Sequence, residues 1–462
     1  MPEYLSGTAA AGRLLAQAQE FVVLENPSGH FPPQDILPLG PCFREATTLP
    51  AAILVDMDGT TTSTEDLCLH ALEHMTRRFT GWGRTADWSG LDPDRDYPHI
   101  IGTSATSNVE YLVGLHRHAF QPALAAQAFL QAAAWTLTAC RMPGRDREVR
   151  NDFRAMDLAG VLDEPAFKAL CEAPGQAATL PESLCGPVGQ RLAQGNRHDW
   201  VRAGSNVYYH VIHDLMQRIG AGETKAVAQE LYGPKHDRAI VPFAGIGALF
   251  ALTRGGLGEK AALLFPSLLE ALPAALRPHA RDAAALGRLG ARFATQPAKV
   301  GLVTSSAAPE ADIILHEVFA GLREEVREWP ISAAHREQVL AAFDSPRAFY
   351  DVYVTASDCH EMRLKPHRDL YAVALHLLGL APEFRGSMIG FEDTEAGILA
   401  QRAAGIGIPV AVPFHGTRNH PFQAAAHVCH GGIPEALLVH GLFIAAQDAV
   451  HPGQPLGGPD VV

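Results

Sequence analysis

Cysteine is sparse and unorganised in this 462-residue chain: seven residues, Cys42, Cys68, Cys140, Cys171, Cys185, Cys359 and Cys429, none in a Cys-x-x-Cys pair. An odd, scattered set excludes a disulfide framework or a zinc ribbon and suits free thiols in a reducing compartment. Positive charge is also short, with 37 Lys and Arg against 50 Asp and Glu, a formal net charge of −13. That balance predicts no nucleic-acid partner and no attraction to an anionic membrane. Local charge at a site can still oppose the global sign, so an anionic substrate stays open. Long apolar runs are missing as well. The longest, Ala239 to Leu252, holds Pro242 and two glycines, and it falls short of the roughly 20 residues that a bilayer requires. The opening Met-Pro-Glu is not followed by a basic region and an apolar core, so no signal peptide is expected. These absences predict a cytoplasmic protein.

What is present describes a chain with a substantial core, 47% hydrophobic and 19% charged, long enough for two domains. Residues 1–50 read as an extension: a helix near 9–19, a strand at Phe21-Val22-Val23-Leu24, and a Pro/Gly-rich loop over 27–41. From Thr64 to Pro297 alanine- and leucine-rich helical patterns dominate, at 66–78, 121–141, 153–172, 206–219, 245–254, 259–275 and 279–294. Pro/Gly-rich breaks interrupt them at 173–187 and 232–235. After Pro297 short apolar strands alternate with helices, the signature of a parallel sheet covered on both faces. The fold class is therefore α/β: a doubly wound parallel sheet built from 51–63 and 298–445, with an all-α cap, 64–297, inserted after the first core strand. Residues 446–462 read as a tail.

Four polar clusters stand at the carboxyl ends of the expected strands, where an open α/β sheet places its ligands. Ile53-Leu54-Val55 runs into Asp56-Met57-Asp58-Gly59-Thr60. Two carboxylates one residue apart are costly to bury unless a cation accompanies them, and an all-oxygen ligand set suits Mg²⁺. Val300 to Val303 ends at Thr304-Ser305-Ser306, whose hydroxyls and free N–H groups can grip a phosphoryl oxygen. Lys365-Pro366 precedes a helix, with Pro366 expected in its first turn. Met388 to Phe391 ends at Glu392-Asp393-Thr394, which repeats the question of paired acids. A solvated turn or a surface lysine is the ordinary reading of each cluster alone. Together they supply a nucleophile, an acid, an oxyanion grip, a cation and metal ligands at one edge of one sheet.

This set resembles the four motifs of the haloacid dehalogenase superfamily, nearest to its branch of β-phosphoglucomutase and phosphoglycolate-phosphatase-like enzymes. The quoted segments are Asp56 to Thr60, Thr304-Ser305, Lys365 to Tyr371 and Gly390 to Ile398. Ser63-Thr64-Glu65, Ala403-Ala404-Gly405 and Gly431 to Leu437 support it, and Asp96 to Leu112 is loosely similar to that branch's cap. The resemblance implies a HAD-like Rossmannoid core and a hydrolase of phosphoric monoesters acting on a small phosphorylated metabolite. It implies Asp56 as nucleophile, Asp58 as general acid and base, and Thr304 and Lys365 as holders of phosphoryl oxygens. Gly59, Thr60, Ser305 and Ser306 would line the substrate. Mg²⁺ would be held by Asp56, the Asp58 carbonyl and Asp393, with Glu392 either a ligand or acting through water. Asp58 favours phosphoester hydrolysis over dehalogenation or phosphonate cleavage, which lack a second acid there. A phosphomutase with the same residues is the alternative, and a catalytically silent binding protein is an alternative of another class.

The chain departs from the family in three places. Ser63 stands where a second acid is usual, an extra helical stretch lies at 317–343, and the cap is far larger than the usual four-helix form. Within the cap, His210 and His213 sit three apart on a helix, a spacing that can bind metal but more often belongs to a packed face. Lys168, Lys225, Lys235 and Lys260 sit in no recognisable context, and His415 and His420 read as loop residues.

Overall fold

The computed structural model describes residues 7–25, 31–46, 48–83, 88–173, 180–359, 363–440 and 442–443; the expected tail lies outside them. Strands β1 (Phe21–Glu25) and β2 (Gln34–Pro38) pair antiparallel, Phe21 opposite Pro38. β2 corrects the expectation of a loop over 27–41: its prolines sit at the flanks, leaving Asp35-Ile36-Leu37 free to pair. This hairpin is tied to the rest by Arg402, whose Nε donates to the Gly40 carbonyl at 2.9 Å and whose guanidinium pairs with Glu20 at 2.5 Å.

The main sheet has six strands, all parallel: β3 (Ala52–Val55), β4 (Lys299–Val303), β5 (Val352–Val354), β6 (Ile389–Glu392), β7 (Ile408–Ala411) and β8 (His427–Val428). Their order across the sheet is β5-β4-β3-β6-β7-β8. β3 is fully buried, as a strand covered on both faces must be, and this explains its unbroken apolar run. Val55 stands opposite Leu302 on one side and Phe391 on the other. That register ends three strands at one level, so Asp56, Thr304 and Glu392 emerge side by side.

Helices Ala308–Arg327, Asp369–Leu378 and Glu395–Ala404 follow β4, β5 and β6. The helix expected at 368–379 starts at Asp369, so Pro366 lies before the helix and outside its first turn. The Lys365–Pro366 peptide is cis.

Helices Glu65–Thr80, Ala105–His116, Pro122–Thr138, Glu182–Gln194 and Arg197–Gly220 pack on one another. The last, 24 residues long, touches the other four and also the Ala308–Arg327 helix of the core. Asn196 caps it, accepting from the Asp199 N–H at 3.2 Å, which starts the helix nine residues before the expected 206. The 153–172 pattern is broken in two by a 3₁₀ turn at Ala159–Asp163, and the helix at 182–194 runs through Pro187, where a break was expected.

The chain returns toward the sheet beside the point where it left. Thr62 Oγ1 donates to the Val241 carbonyl at 2.8 Å, and the Phe243 N–H donates to the Thr61 carbonyl at 3.0 Å. Residues after that return pack against the sheet: the Ile246–Thr253 helix lies on β4, the Ala308–Arg327 helix and the Gly432–Leu438 helix. One apolar core runs from the helical insertion into the sheet. No described helix is long and apolar enough to cross a membrane.

Candidate active site

Asp56, Asp58, Thr304, Lys365, Glu392 and Asp393 lie far apart in sequence, yet the strand ends bring them together. Asp56, Glu392 and Asp393 are all buried, at 5%, 1% and 1% exposure, and each offers an oxygen within 4.8 Å of the others. Lys365 is the cation among them. Its Nζ contacts Asp56 Oδ1, lies 2.6 Å from Glu392 Oε1 and donates to the Val303 carbonyl at 3.1 Å. Burial alone would lower the Lys365 ammonium, but the Asp56 and Glu392 carboxylates together raise it, so it is held charged. Burial pushes the Asp56 carboxyl well up, Glu392 adds to the push, and Lys365 opposes it. Burial, Asp56 and Glu392 likewise push Asp393 well up.

Asp58 faces a different environment. Thr64 Oγ1 donates to one of its oxygens, while Ser306 Oγ at 2.7 Å and Thr304 Oγ1 at 3.2 Å reach the other. Burial still holds its carboxyl above the ordinary range against those three hydrogen bonds. Asp56 and Asp58 thus sit in different settings, the first against an ammonium and the second among hydroxyls.

Gly59 makes the pair possible. Its φ is +78° and its N–H donates to the Thr62 carbonyl at 2.9 Å, a turn that side chains rarely adopt. A Cβ there would collide with the Asp393 carboxylate. Thr60 Oγ1 donates to Asp393 Oδ1 at 3.0 Å, while Asp393 Oδ2, fully buried, has no hydrogen-bond partner among the described residues. Gly397 performs the same service for Glu392, whose carboxylate occupies the space a Cβ would need. Tyr371 donates to Glu392 Oε1 at 2.5 Å. Ser305 is exposed at the rim and lines the same cavity as Ser306.

An unpartnered buried carboxylate oxygen beside two further acids is what a divalent cation would satisfy, and the all-oxygen donor set fits Mg²⁺. Asp56 and Asp393 are the residues placed to hold it. Glu392 is already engaged by Lys365 and Tyr371.

The cavity above these groups measures about 350 Å³. Its other walls come from the helical insertion: Glu65 and Cys68 on one helix, Thr103, Ser104 and Asn108 near the start of a second, and Tyr208, Tyr209, Ile212 and Met216 on a third. Of these the sequence pointed only to the segment Asp96 to Leu112, which carries Thr103, Ser104 and Asn108. Thr64 and Glu65 belong to a recognised segment, but nothing marked them as cavity residues. Glu310 was also missed; it lines the cavity from the first turn of its helix and binds His213 Nε2 at 3.1 Å. His213 also meets Cys140 Sγ at 3.8 Å, and His210 lies against the Trp135 ring. The two histidines do not converge on a metal cluster among the described residues. Lys168, Lys225 and Lys260 pair with Asp163, Asp237 and His335 away from the cavity. His415 pairs with Asp66 at 3.6 Å, and His420 accepts from the Glu395 N–H at 3.4 Å.

No family model matches the chain. Over 115 residues it is 32% identical to protein CbbY of Rhodobacter capsulatus, a match covering 25% of this chain and 48% of that protein. The chain thus spans about half the length of the curated relative it matches. Among solved structures, CbbY of Rhodobacter sphaeroides in complex with phosphate is 14% identical, at a TM-score of 0.37, covering 84% of this chain and 96% of that one. The same protein has been solved with xylulose 1,5-bisphosphate. β-Phosphoglucomutase of Clostridium difficile is 13% identical at a TM-score of 0.34, covering 83% of this chain and 92% of that one. In this chain a long run of helices lies between the first two strands of the parallel sheet.

Proposed function

We propose that this HAD-like protein is a Mg²⁺-dependent phosphatase that hydrolyses a small phosphorylated metabolite through an aspartyl-phosphate. The observation that carries the reading is the convergence of three buried carboxylates on one point, with a buried ammonium beside them. No packing role needs that arrangement, since each uncompensated buried charge costs several kcal/mol. The free thiols fit a reducing cytoplasm.

In this reading Asp56 attacks phosphorus through a carboxylate oxygen, and the bond from phosphorus to the leaving oxygen breaks. Lys365 opposes the rise that burial and Glu392 impose on the Asp56 carboxyl and offsets charge on the phosphoryl oxygens. Asp58, its carboxyl raised by burial, donates its proton to the departing alkoxide. It then takes a proton from the water that attacks the aspartyl-phosphate, releasing inorganic phosphate and restoring both acids. Thr304 and Ser306, which hold Asp58 in this structure, also orient it toward the leaving group. Ser305 borders the phosphoryl pocket, whereas Gly59 and Thr60, expected there, lie outside its lining: Thr60 is buried and holds Asp393, and Gly59 makes room for that carboxylate. Asp56, Asp393 and the Asp58 carbonyl would hold Mg²⁺, with Glu392 fixing Lys365. The cation would neutralise charge gathered on the phosphoryl oxygens.

The test is hydrolysis of p-nitrophenyl phosphate by the full chain in Mg²⁺, alongside Asp56→Asn. The wild type should release phosphate and the variant should be at least about 10³-fold slower. Equal rates would end the nucleophile assignment.

A further inference from the structure

The cavity has six carboxylates in its walls, Asp56, Asp58, Glu65, Glu310, Glu392 and Asp393, and one ammonium, Lys365. Among the described residues no arginine and no second lysine lines it. The acids divide into two sets. Four stand at the strand ends around Lys365 and belong to the phosphoryl pocket. The other two, Glu65 and Glu310, lie on different helices and border the space left for the remainder of the substrate. Tyr208, Tyr209, Asn108, Thr103 and Ser104 share that space. Glu65 makes no side-chain hydrogen bond or ion pair with any described residue. Glu310 makes one of each kind, with the Ala307 N–H at 3.4 Å and with His213. Arg145 stacks on the Tyr209 ring with its centre 4.0 Å from the centroid, is held by Glu148, and does not border the cavity.

A phosphate or carboxylate in a protein site is ordinarily met by arginine, lysine or an array of N–H donors. Here Lys365 serves the transferred phosphoryl group, and a second anion would meet no other cation, only Glu65, Glu310, the two tyrosines and the neutral groups of Asn108, Thr103 and Ser104. Resting on the phosphatase reading, we infer that the substrate is the phosphomonoester of a neutral or cationic alcohol, its hydroxyl or amino groups donating to Glu65 and the residues around it. A second phosphate or a carboxylate on the substrate would find no counter-ion at that wall, which disfavours sugar bisphosphates and phosphorylated carboxylic acids.

The experiment uses the full chain in Mg²⁺ and three probes: O-phosphoethanolamine, 3-phosphoglycerate and fructose 1,6-bisphosphate. Wild-type kcat/KM should be about 100-fold or more higher for the amino alcohol ester than for either probe with a second anionic group. Glu65→Gln should narrow that ratio by about tenfold, chiefly through KM. Calorimetric binding of the three probes to Asp56→Asn reads the same preference without turnover. If the bisphosphate or the acid binds as tightly as the amine, the substrate class is wrong, whatever the rates. If p-nitrophenyl phosphate is untouched by the wild type but the amine still binds preferentially, the phosphatase reading fails and the inference about the wall stands.

Discussion

Lys365 is the residue whose removal tests the site's electrostatics most directly. Its Nζ sits 2.6 Å from Glu392 Oε1 and in contact with Asp56, with all three side chains 8% exposed or less. At an effective dielectric constant near 20, one such pair is worth roughly 6 kcal/mol before desolvation is subtracted. Removing one partner of a buried ion pair costs about 3–5 kcal/mol net, because the charge left behind has no counter-ion. Lys365→Met keeps the volume and deletes the ammonium, so in EDTA at pH 8 it should lose about 3–5 kcal/mol by urea denaturation. The loss has a signed pH dependence. Lys365 opposes the rise of the Asp56 carboxyl, so without it the folded protein holds that proton to higher pH. Folded carboxyls that bind protons more tightly than unfolded ones add stability at low pH, and lose it as pH rises through the folded value. The gap between variant and wild type should therefore narrow from pH 8 to pH 5. A loss under about 1 kcal/mol at pH 8, or a gap that widens on acidification, would refute the buried ion cluster as drawn.

Further outcomes follow from the same geometry. Chelation by EDTA should abolish phosphatase activity and Mg²⁺ restore it; Mg²⁺ at 100 times its dissociation constant should also stabilise the fold by about 2.7 kcal/mol, read as a higher urea midpoint. Burial, with Asp58 and Asp66, pushes the Glu65 carboxyl up to about 8 from an ordinary 4.5. Its raised value adds stability at low pH that is lost between those limits, at a slope of at most about 1.4 kcal/mol per pH unit. Glu65→Gln should flatten that part of the stability profile, and an unchanged profile would count against the burial of Glu65. Gly59→Ala should cost about 1–3 kcal/mol, from a side chain placed at positive φ and against Asp393, and should weaken Mg²⁺ rescue of activity; calorimetry and the EDTA assay together measure both.

The sheet was readable because a strand buried on both faces carries its pattern locally. Ile53 to Val55, Val300 to Val303, Val352 to Val354 and Met388 to Phe391 each announce themselves as short apolar runs. The strand-end acids were readable for a related reason, since a carboxylate directly after such a run contradicts its surroundings. β2 hid among prolines. β8 is two residues long and carries no periodicity at all. The helix at Ala105–His116 escaped because its first residues, Ala-Thr-Ser-Asn, are polar and small; the signal was Ser104, whose side chain accepts from the Ser107 N–H. The cavity's upper wall was not legible. Tyr208, Tyr209 and Glu310 matter only because two helices from distant parts of the chain meet there, and spacing along a sequence does not encode such a meeting. The cation count of the wall was equally hidden, since the chain has 37 basic residues and only the fold decides which of them stay away.

The outgoing and returning stretches of the insertion run together at Thr61–Ser63 and Val241–Phe243, and this pairing joins the insertion to the residues that follow Asp56 and Asp58. Thr61 Oγ1 holds the Asp56 carbonyl at 2.5 Å, and Thr64 Oγ1 holds the Asp58 carboxylate. The short stalk that joins the helices to the sheet is thus the same piece of backbone that positions both acids, so a substitution at Val241, remote from either carboxylate in sequence, should alter how they are held.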